Sequence, residues 1–515
     1  MKQLLRAVSC AALLLLLSGC GSSGRTVSFT WFVDEIPTNL DPLMAQTSAE
    51  LIACNHLYMG LYQLDETGTP QPGCASGHTL SADGRTYTFT LKPDLYYQDL
   101  RGEVTDHAIT SEDFLFAFQR MFSPETNSPY AASFAGVRGG MEILSGKKPL
   151  SALGVYAPDP LTLVIQLNKP DPTFLEKLTL PGAMPCDELY FDSTKGTYGL
   201  TKKSTLTNGD FYLYNWTGDG LFLRKPANGD DMNNLRLVTN TNPTDMTPAQ
   251  LVDGEKCTAA LDLTTDKTDL QQQFYSNTIW TLQFAPDSVF TNPDLRKALA
   301  AAATDVPLPQ DTLLYGPTEG IVPEGAVVDS QDYRQRADSA QFDLGDEQAL
   351  WHQALTLTPI QKLKGLSLLV PDTADRAFVQ GLNGIWQKRF GLFFNVETVD
   401  AETFAKRYAD GDYTVALVPV ELTIADPTAF LAAFETQLPI EIVAGYQAQS
   451  EQANHQTGGA KIDTLAQMEQ LLVREAYVTP LFRQNARLLV DPTVSGLQFD
   501  PFGPLINVRW ATRTE

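Results

Sequence analysis

Histidine is scarce in this 515-residue chain, with five residues: His56, His78, His107, His352 and His455. No two stand at metal-ligand spacing and no H-E-x-x-H occurs, which argues against a metal centre. Basic charge is also short, at 37 Lys and Arg against 61 Asp and Glu, for a formal net charge of −24. A nucleic-acid binder needs a basic footprint, so that class is set aside. The acidic surplus reads as a solvated surface. The other reading is weak attraction of cationic ligands, screened beyond about 8 Å at physiological salt. The sequence also lacks a phosphate-binding glycine loop, a dinucleotide fingerprint and a G-x-S-x-G elbow, and nothing in it nominates a nucleophile or base. Neither an enzyme nor a cofactor is called for. What is present is an ordinary globular balance, 43% apolar and 19% charged, in a chain long enough for two or three domains.

The first twenty residues read as an address. Lys2 and Arg6 flank a short start, and Ala7 to Leu17 is an apolar run too short to span a bilayer. It ends in Leu17-Ser18-Gly19-Cys20, followed by Gly21-Ser22-Ser23-Gly24. This resembles the bacterial lipobox, which implies a signal peptide over 1–19 and a diacylglyceryl group on Cys20. Residues 20–25 would then be the tether. Two acyl chains anchor stably where one is marginal. The alternative is an ordinary secretory signal with an incidental cysteine. No later stretch is apolar enough to cross a membrane, so the mature protein is expected outside the cytoplasm, tethered to the cell membrane. Cys54, Cys74, Cys186 and Cys257 remain, either as buried free thiols or as disulfides with three possible connectivities.

Strand and helix signals alternate along the rest. Alternation predicts strands at Thr26–Val33 and Tyr87–Leu91, and an apolar run predicts another at Leu161–Leu167. Ser48–Tyr62 reads as a helix running into a strand. Thr110 with Glu112 and Asp113 marks a helix start, its carboxylates near the positive dipole end. A helix is expected at Pro293–Ala303. Gly365–Val370, Ala374–Phe390 and Phe394–Val399 read as strand, helix, strand, a βαβ order that indicates a mixed α/β domain.

A set of ordered motifs carries a family resemblance over most of the mature chain. They include Pro37-Thr38-Asn39-Leu40-Asp41-Pro42, the Ala82–Leu91 segment, Ile109–Pro129, Glu142–Pro149, Asn208-Gly209-Asp210-Phe211 with Trp216, and Asp294–Leu299. Together they resemble the extracytoplasmic solute-binding proteins of peptide ABC transporters, of the oligopeptide- and dipeptide-binding type. The resemblance implies an α/β, two-lobed periplasmic-binding-protein-like fold, type II and of the long peptide-binding class, with an extra subdomain in the first lobe. Lobe I is expected at about 26–280 plus 476–515, with the subdomain near 50–180, and lobe II at 281–475.

The same resemblance nominates ligand-binding residues. Gln46 and Ser48 follow Pro42 in a ligand-facing stretch, Tyr130 matches a ligand-facing tyrosine, and Trp280 falls on a crossing strand. Tyr130 and Trp280 are also open to a plain packing role. In the second lobe the family has W-x-x-D-x-x-x-P, whose Asp holds the ligand's amino terminus. Counting back from Pro427 puts Val420 and Thr423 at those two positions, so both expected side chains are missing. Glu421, two residues from Thr423 with Leu422 between them, shares its face on an extended strand, so either the amine anchor has moved to Glu421 or the ligand lacks an anchored amino terminus. Asp426 reads as a turn residue. The implied function is a monomeric, lipid-anchored receptor that binds peptides and delivers them to ABC permease subunits. The alternatives are a non-peptide ligand such as a metal chelate or glycoside in the same fold, or a peptide sensor without transport.

Overall fold

The computed structural model describes residues 27–171, 173–226, 231–241, 246–286, 288–329, 331–337, 344–422, 425–454, 456–502 and 505–514. The signal segment, Cys20 and Thr423 lie outside the described residues. Three sheets organise the rest. The first runs Ser28–Val33, Asn234–Thr239, Gly220–Arg224, Tyr212–Thr217, its first pair parallel. The second is antiparallel, in the order Ala75–Leu80, Thr86–Leu91, Thr162–Gln166, Val155–Asp159. Its inward Phe89, Leu163 and Ile165 share a core with Phe114, Phe118 and Met121 of the helix Ser111–Phe122. That helix begins at Thr110, where Asp113 accepts from the Thr110 N–H in a capping box. The third sheet holds the predicted βαβ unit. Leu366–Pro371 and Phe394–Val399 pair in parallel, and the helix Arg376–Phe390 that joins them buries Trp386 beneath.

Two strands in this third sheet are unusually long. Gln271–Phe284 and Val478–Val490 pair antiparallel along most of their lengths. At one end they lie beside Ala259–Asp262, and at the other Gln271–Phe284 pairs with Val415–Glu421. One sheet thus runs through two separate hydrophobic cores. One contains Leu488, Val490, Phe29 and Leu237; the other contains Trp280, Phe482, Leu368 and Trp386.

Most motif residues hold the fold together. Asp41 caps the short turn at Pro42–Met44 and forms a buried ion pair with Arg120, 79 residues away. Asn208 brackets Met59, accepting from its N–H at 3.1 Å and donating to its carbonyl at 2.9 Å. The buried Arg296 guanidinium donates to the carbonyls of Glu475 and Phe290. All four remaining cysteines are buried free thiols.

His56, on the helix Ser48–Leu57, is fully enclosed. Its Nδ1 donates to the Ile52 carbonyl at 2.7 Å and its Nε2 accepts from the Val508 N–H at 3.0 Å, an arrangement only the neutral ring can make. Burial first, then the Arg509 charge, lowers its pKa to about 3. The folded pKa lies below the unfolded value, so the stabilisation is fully present above pH 6.5 and is lost as pH falls towards 3. Between pH 6.5 and 4.5 this group alone should cost about 2–3 kcal/mol. Asp113 works in the opposite sense: burial raises its pKa to about 6, so acid relieves its cost. Urea titrations of wild type and His56→Asn at both pH values isolate the histidine. The variant should lose less stability on acidification; equal losses would refute the assignment.

Candidate functional site

The crossing strands are not regular where they pass between the cores. Tyr275 pairs with Ala486, but the next paired residue is Thr278, opposite Gln484. Ser276 and Asn277 form a bulge, the device by which a strand bends and re-aims side chains. Asn277 anchors the bulge to the neighbouring strand. Its carbonyl accepts from the Leu422 N–H at 2.9 Å and its Nδ2 donates to Glu421 Oε1 at 2.8 Å.

Glu421 is the last residue of Val415–Glu421, and its side chain is exposed. Only Oε1 is engaged by Asn277, and among the described residues the carboxylate has no cationic partner. Tyr275 stands beside it. Burial, and secondarily the Glu421 charge, push this phenol up to about 12, so it stays protonated and can donate. Among the described residues the bulge therefore carries a carboxylate oxygen without a partner and a neutral hydroxyl, which together suit an ammonium group with a neighbouring acceptor. Leu422 points the other way and is buried among Leu431, Val473 and Val478. Asp426 accepts from the Thr428 N–H and pairs with Lys461 at 2.6 Å, as a turn residue does.

The other expected site residues divide by exposure. Gln46 and Ser48 are exposed on the turn into the helix Ser48–Leu57. The N–H groups of Gln46 and Thr47 both donate to Glu50 Oε2, at 3.0 and 3.1 Å, so the turn is rigid while the two side chains stay available. Tyr130 lies beneath this turn. Its ring fits over Gly182, where a Cβ would sit 2.4 Å from the ring, and its hydroxyl donates to the Ala45 carbonyl at 2.7 Å. Trp280 is 2% exposed, stacks on Phe482 and donates Nε1–H to Gln484 Oε1 at 2.6 Å. In this structure both aromatics spend their polar atoms on the protein. Neither presents a free polar group. Sequence reasoning missed Tyr275 and Asn277, because a bulge leaves no mark in the pattern Tyr-Ser-Asn.

The model of the bacterial extracellular solute-binding proteins, family 5, matches residues 69–440, well over half of the chain. This chain belongs to that family. It is 25% identical over 538 residues to the dipeptide-binding protein of Lactococcus lactis, covering 95% of each. It is 22% identical over 530 residues to the oligopeptide-binding protein of Bacillus subtilis, covering 94% of each. Among solved structures, the pheromone receptor PrgZ superposes with a TM-score of 0.70 at 23% identity, covering 95% of this chain and all of that one. The oligopeptide transporter substrate-binding domain of Bacillus anthracis gives 0.68 at 22%, with the same coverage. The fold of this solute-binding protein is accordingly the two-lobed periplasmic-binding type. Among the described residues no helix is long and apolar enough to cross a membrane.

Proposed function

We propose that this solute-binding protein is a peptide receptor, tethered outside the cytoplasm through Cys20, that closes two lobes around its ligand and hands it to an ABC permease as a monomer. The lobes are 26–280 with 476–515, carrying the subdomain at 50–180, and 281–475. The observation that carries the reading is the exposed, cation-free Glu421 carboxylate beside the bulge in the crossing strands. Full-length relatives named for dipeptides and oligopeptides support it.

The mechanism needs no bond chemistry. An extended peptide presents N–H and C=O groups that a strand edge can pair with regardless of sequence. Its side chains can sit in wet pockets, where bridging waters satisfy polar atoms. Its terminal ammonium is the demanding group, because burying it without a partner costs several kcal/mol. Glu421 supplies that partner, with Gln46 and Ser48 as polar contacts and Tyr130 and Trp280 backing the walls, while Leu422 faces the core.

The first test is mass spectrometry of acid-released material from gently purified protein. A ladder of short peptides is expected, and a single non-peptide species would replace the peptide reading. Glu421→Gln should then raise the Kd of free-amino peptides about tenfold, the worth of one charge-assisted hydrogen bond, while amino-acetylated peptides bind both forms alike. Equal binding of free-amino peptides by both forms would remove Glu421 from the site.

A further inference from the structure

The hairpin formed by Gln498–Asp500 and Leu505–Asn507 is rooted in the core of the first lobe. Ile506 and Val508 are buried beside Phe29 and Leu237, the Val508 N–H donates to His56, and Arg509 donates to the Asn55 carbonyl. Gln498 donates to the Asp65 carbonyl at 2.8 Å, and Phe499 packs edge-on against Tyr275 with ring centroids 5.0 Å apart. Phe502 departs from this pattern. Its half-buried ring packs against the core of the other lobe, which contains Ile321, Val322, Ala326 and Leu422.

Both sides are built for this contact. Asp500 Oδ1 accepts from the Phe502 N–H at 2.9 Å and holds the ring's backbone in a turn. Opposite it stands Gly325 at φ +86°, where a Cβ would lie 3.1 Å from Phe502 Cε2. A glycine there tolerates the backbone and lets the ring sit close upon it. The receiving segment is joined to the chain just beyond Glu421, since the Val327 N–H donates to the Ala425 carbonyl at 2.9 Å. On this same lip, Asp329 and Asp426 lie within electrostatic reach of Glu176 from the first lobe. Lys177, which pairs with Asp171, offsets part of this repulsion on Glu176, and Lys461 pairs with Asp426. The Asp329 and Asp426 charges act against Glu176 across the lips, only partly offset by Lys177, and an apolar contact across the same lips favours closure.

We infer that Phe502 is a latch: its ring on Gly325 holds the lobes closed and so sets ligand affinity without touching the ligand. This rests on the two-lobe receptor reading above. A contact made only in the closed state shifts the population of that state, and apparent affinity scales with the population. Loss of the contact should act on dissociation, since association begins from the open form.

The test uses the full chain with Phe502→Ala and Phe502→Leu, titrated with tetra-alanine and followed by stopped flow and small-angle scattering. Phe502→Ala should raise Kd about tenfold through koff and enlarge the ligand-free radius of gyration, with thermal stability held and Leu intermediate. Wild-type affinity and radius in Phe502→Ala would overturn the latch. So would a loss of binding that only follows a fall in melting temperature. Should Phe502→Ala not fold, Gly325→Asn tolerates the positive φ and pushes the ring away. It must open the protein in the same way, and an unchanged radius refutes the proposal. If wild type neither binds nor compacts with tetra-alanine, the peptide reading fails separately. The ligand-free radii still decide the latch: larger in the variants supports it, equal overturns it.

Discussion

Arg487→Met should destabilise the protein by about 3–5 kcal/mol, because it strands a buried carboxylate. Arg487 lies on the crossing strand Val478–Val490 and is 2% exposed. Its Nε and Nη2 donate to Asp262 Oδ2 at 2.9 and 2.7 Å, its Nη1 to Gln272 Oε1 at 2.7 Å, and its Nη2 to the Asp266 carbonyl at 2.9 Å. One guanidinium thus ties Ala259–Asp262, both crossing strands and the loop after Asp262. Methionine keeps most of the volume but leaves Asp262, also 2% exposed, without its counter-charge. The double variant Asp262→Leu with Arg487→Met removes both charges and should recover most of the loss, since a buried pair often only breaks even against apolar residues. Chemical denaturation followed by tryptophan fluorescence measures both. A single-variant loss under about 1 kcal/mol would mean that water reaches the pair and screens it.

Arg120→Met is expected to cost a similar amount by a different route, about 3–5 kcal/mol at the joint between the helix Ser111–Phe122 and the turn at Asp41. Arg120 sits on the helix Ser111–Phe122, and its Nη1 donates to Asp41 Oδ1 at 3.3 Å while Nη2 holds Oδ2. Asp41 caps the turn at Pro42–Met44, so the pair joins that helix to the segment that leads into Gln46 and Ser48. The guanidinium also lies 4.3 Å from the Phe191 ring and donates to Cys186 Sγ at 3.5 Å. That thiol reports on the joint. Burial pushes Cys186 up to about 12, so in the native protein it is both shielded and protonated. None of the four thiols of native protein should react with an aromatic disulfide reagent. In Arg120→Met one thiol, Cys186, should react, as identified by peptide mapping. Silence from Cys186 in a folded Arg120→Met protein would show that the joint does not open.

These two pairs show where the sequence was legible. Asp41 and Arg120 each belong to a motif, and the motifs announced a family, but their 79-residue separation hides that they are one ion pair. Local elements read well because their causes are local. Thr110 with Asp113 caps a helix, Pro293 opens one at N1, and Leu366–Val399 spells strand, helix, strand. Helices with weaker apolar periodicity were not read, among them Ile440–Asn454. The candidate site was read in part. Glu421 was reached by counting from Pro427, and it stands exposed with its carboxylate uncompensated. Tyr130 and Trp280 were nominated from the resemblance, and in the structure their polar atoms are taken by the Ala45 carbonyl and Gln484 Oε1.

By itself, the sequence determined the α/β class and the family. Those follow from composition, periodicity and short motifs, whose physical causes lie within a few residues. Only the tertiary structure decided that Ser276 and Asn277 bulge out of register, that Tyr275 comes to stand beside Glu421, and that Phe502 crosses from one core to the other. Each depends on residues far apart in the chain meeting at one place, and strand register and interlobe packing are set by the sum of those distant contacts.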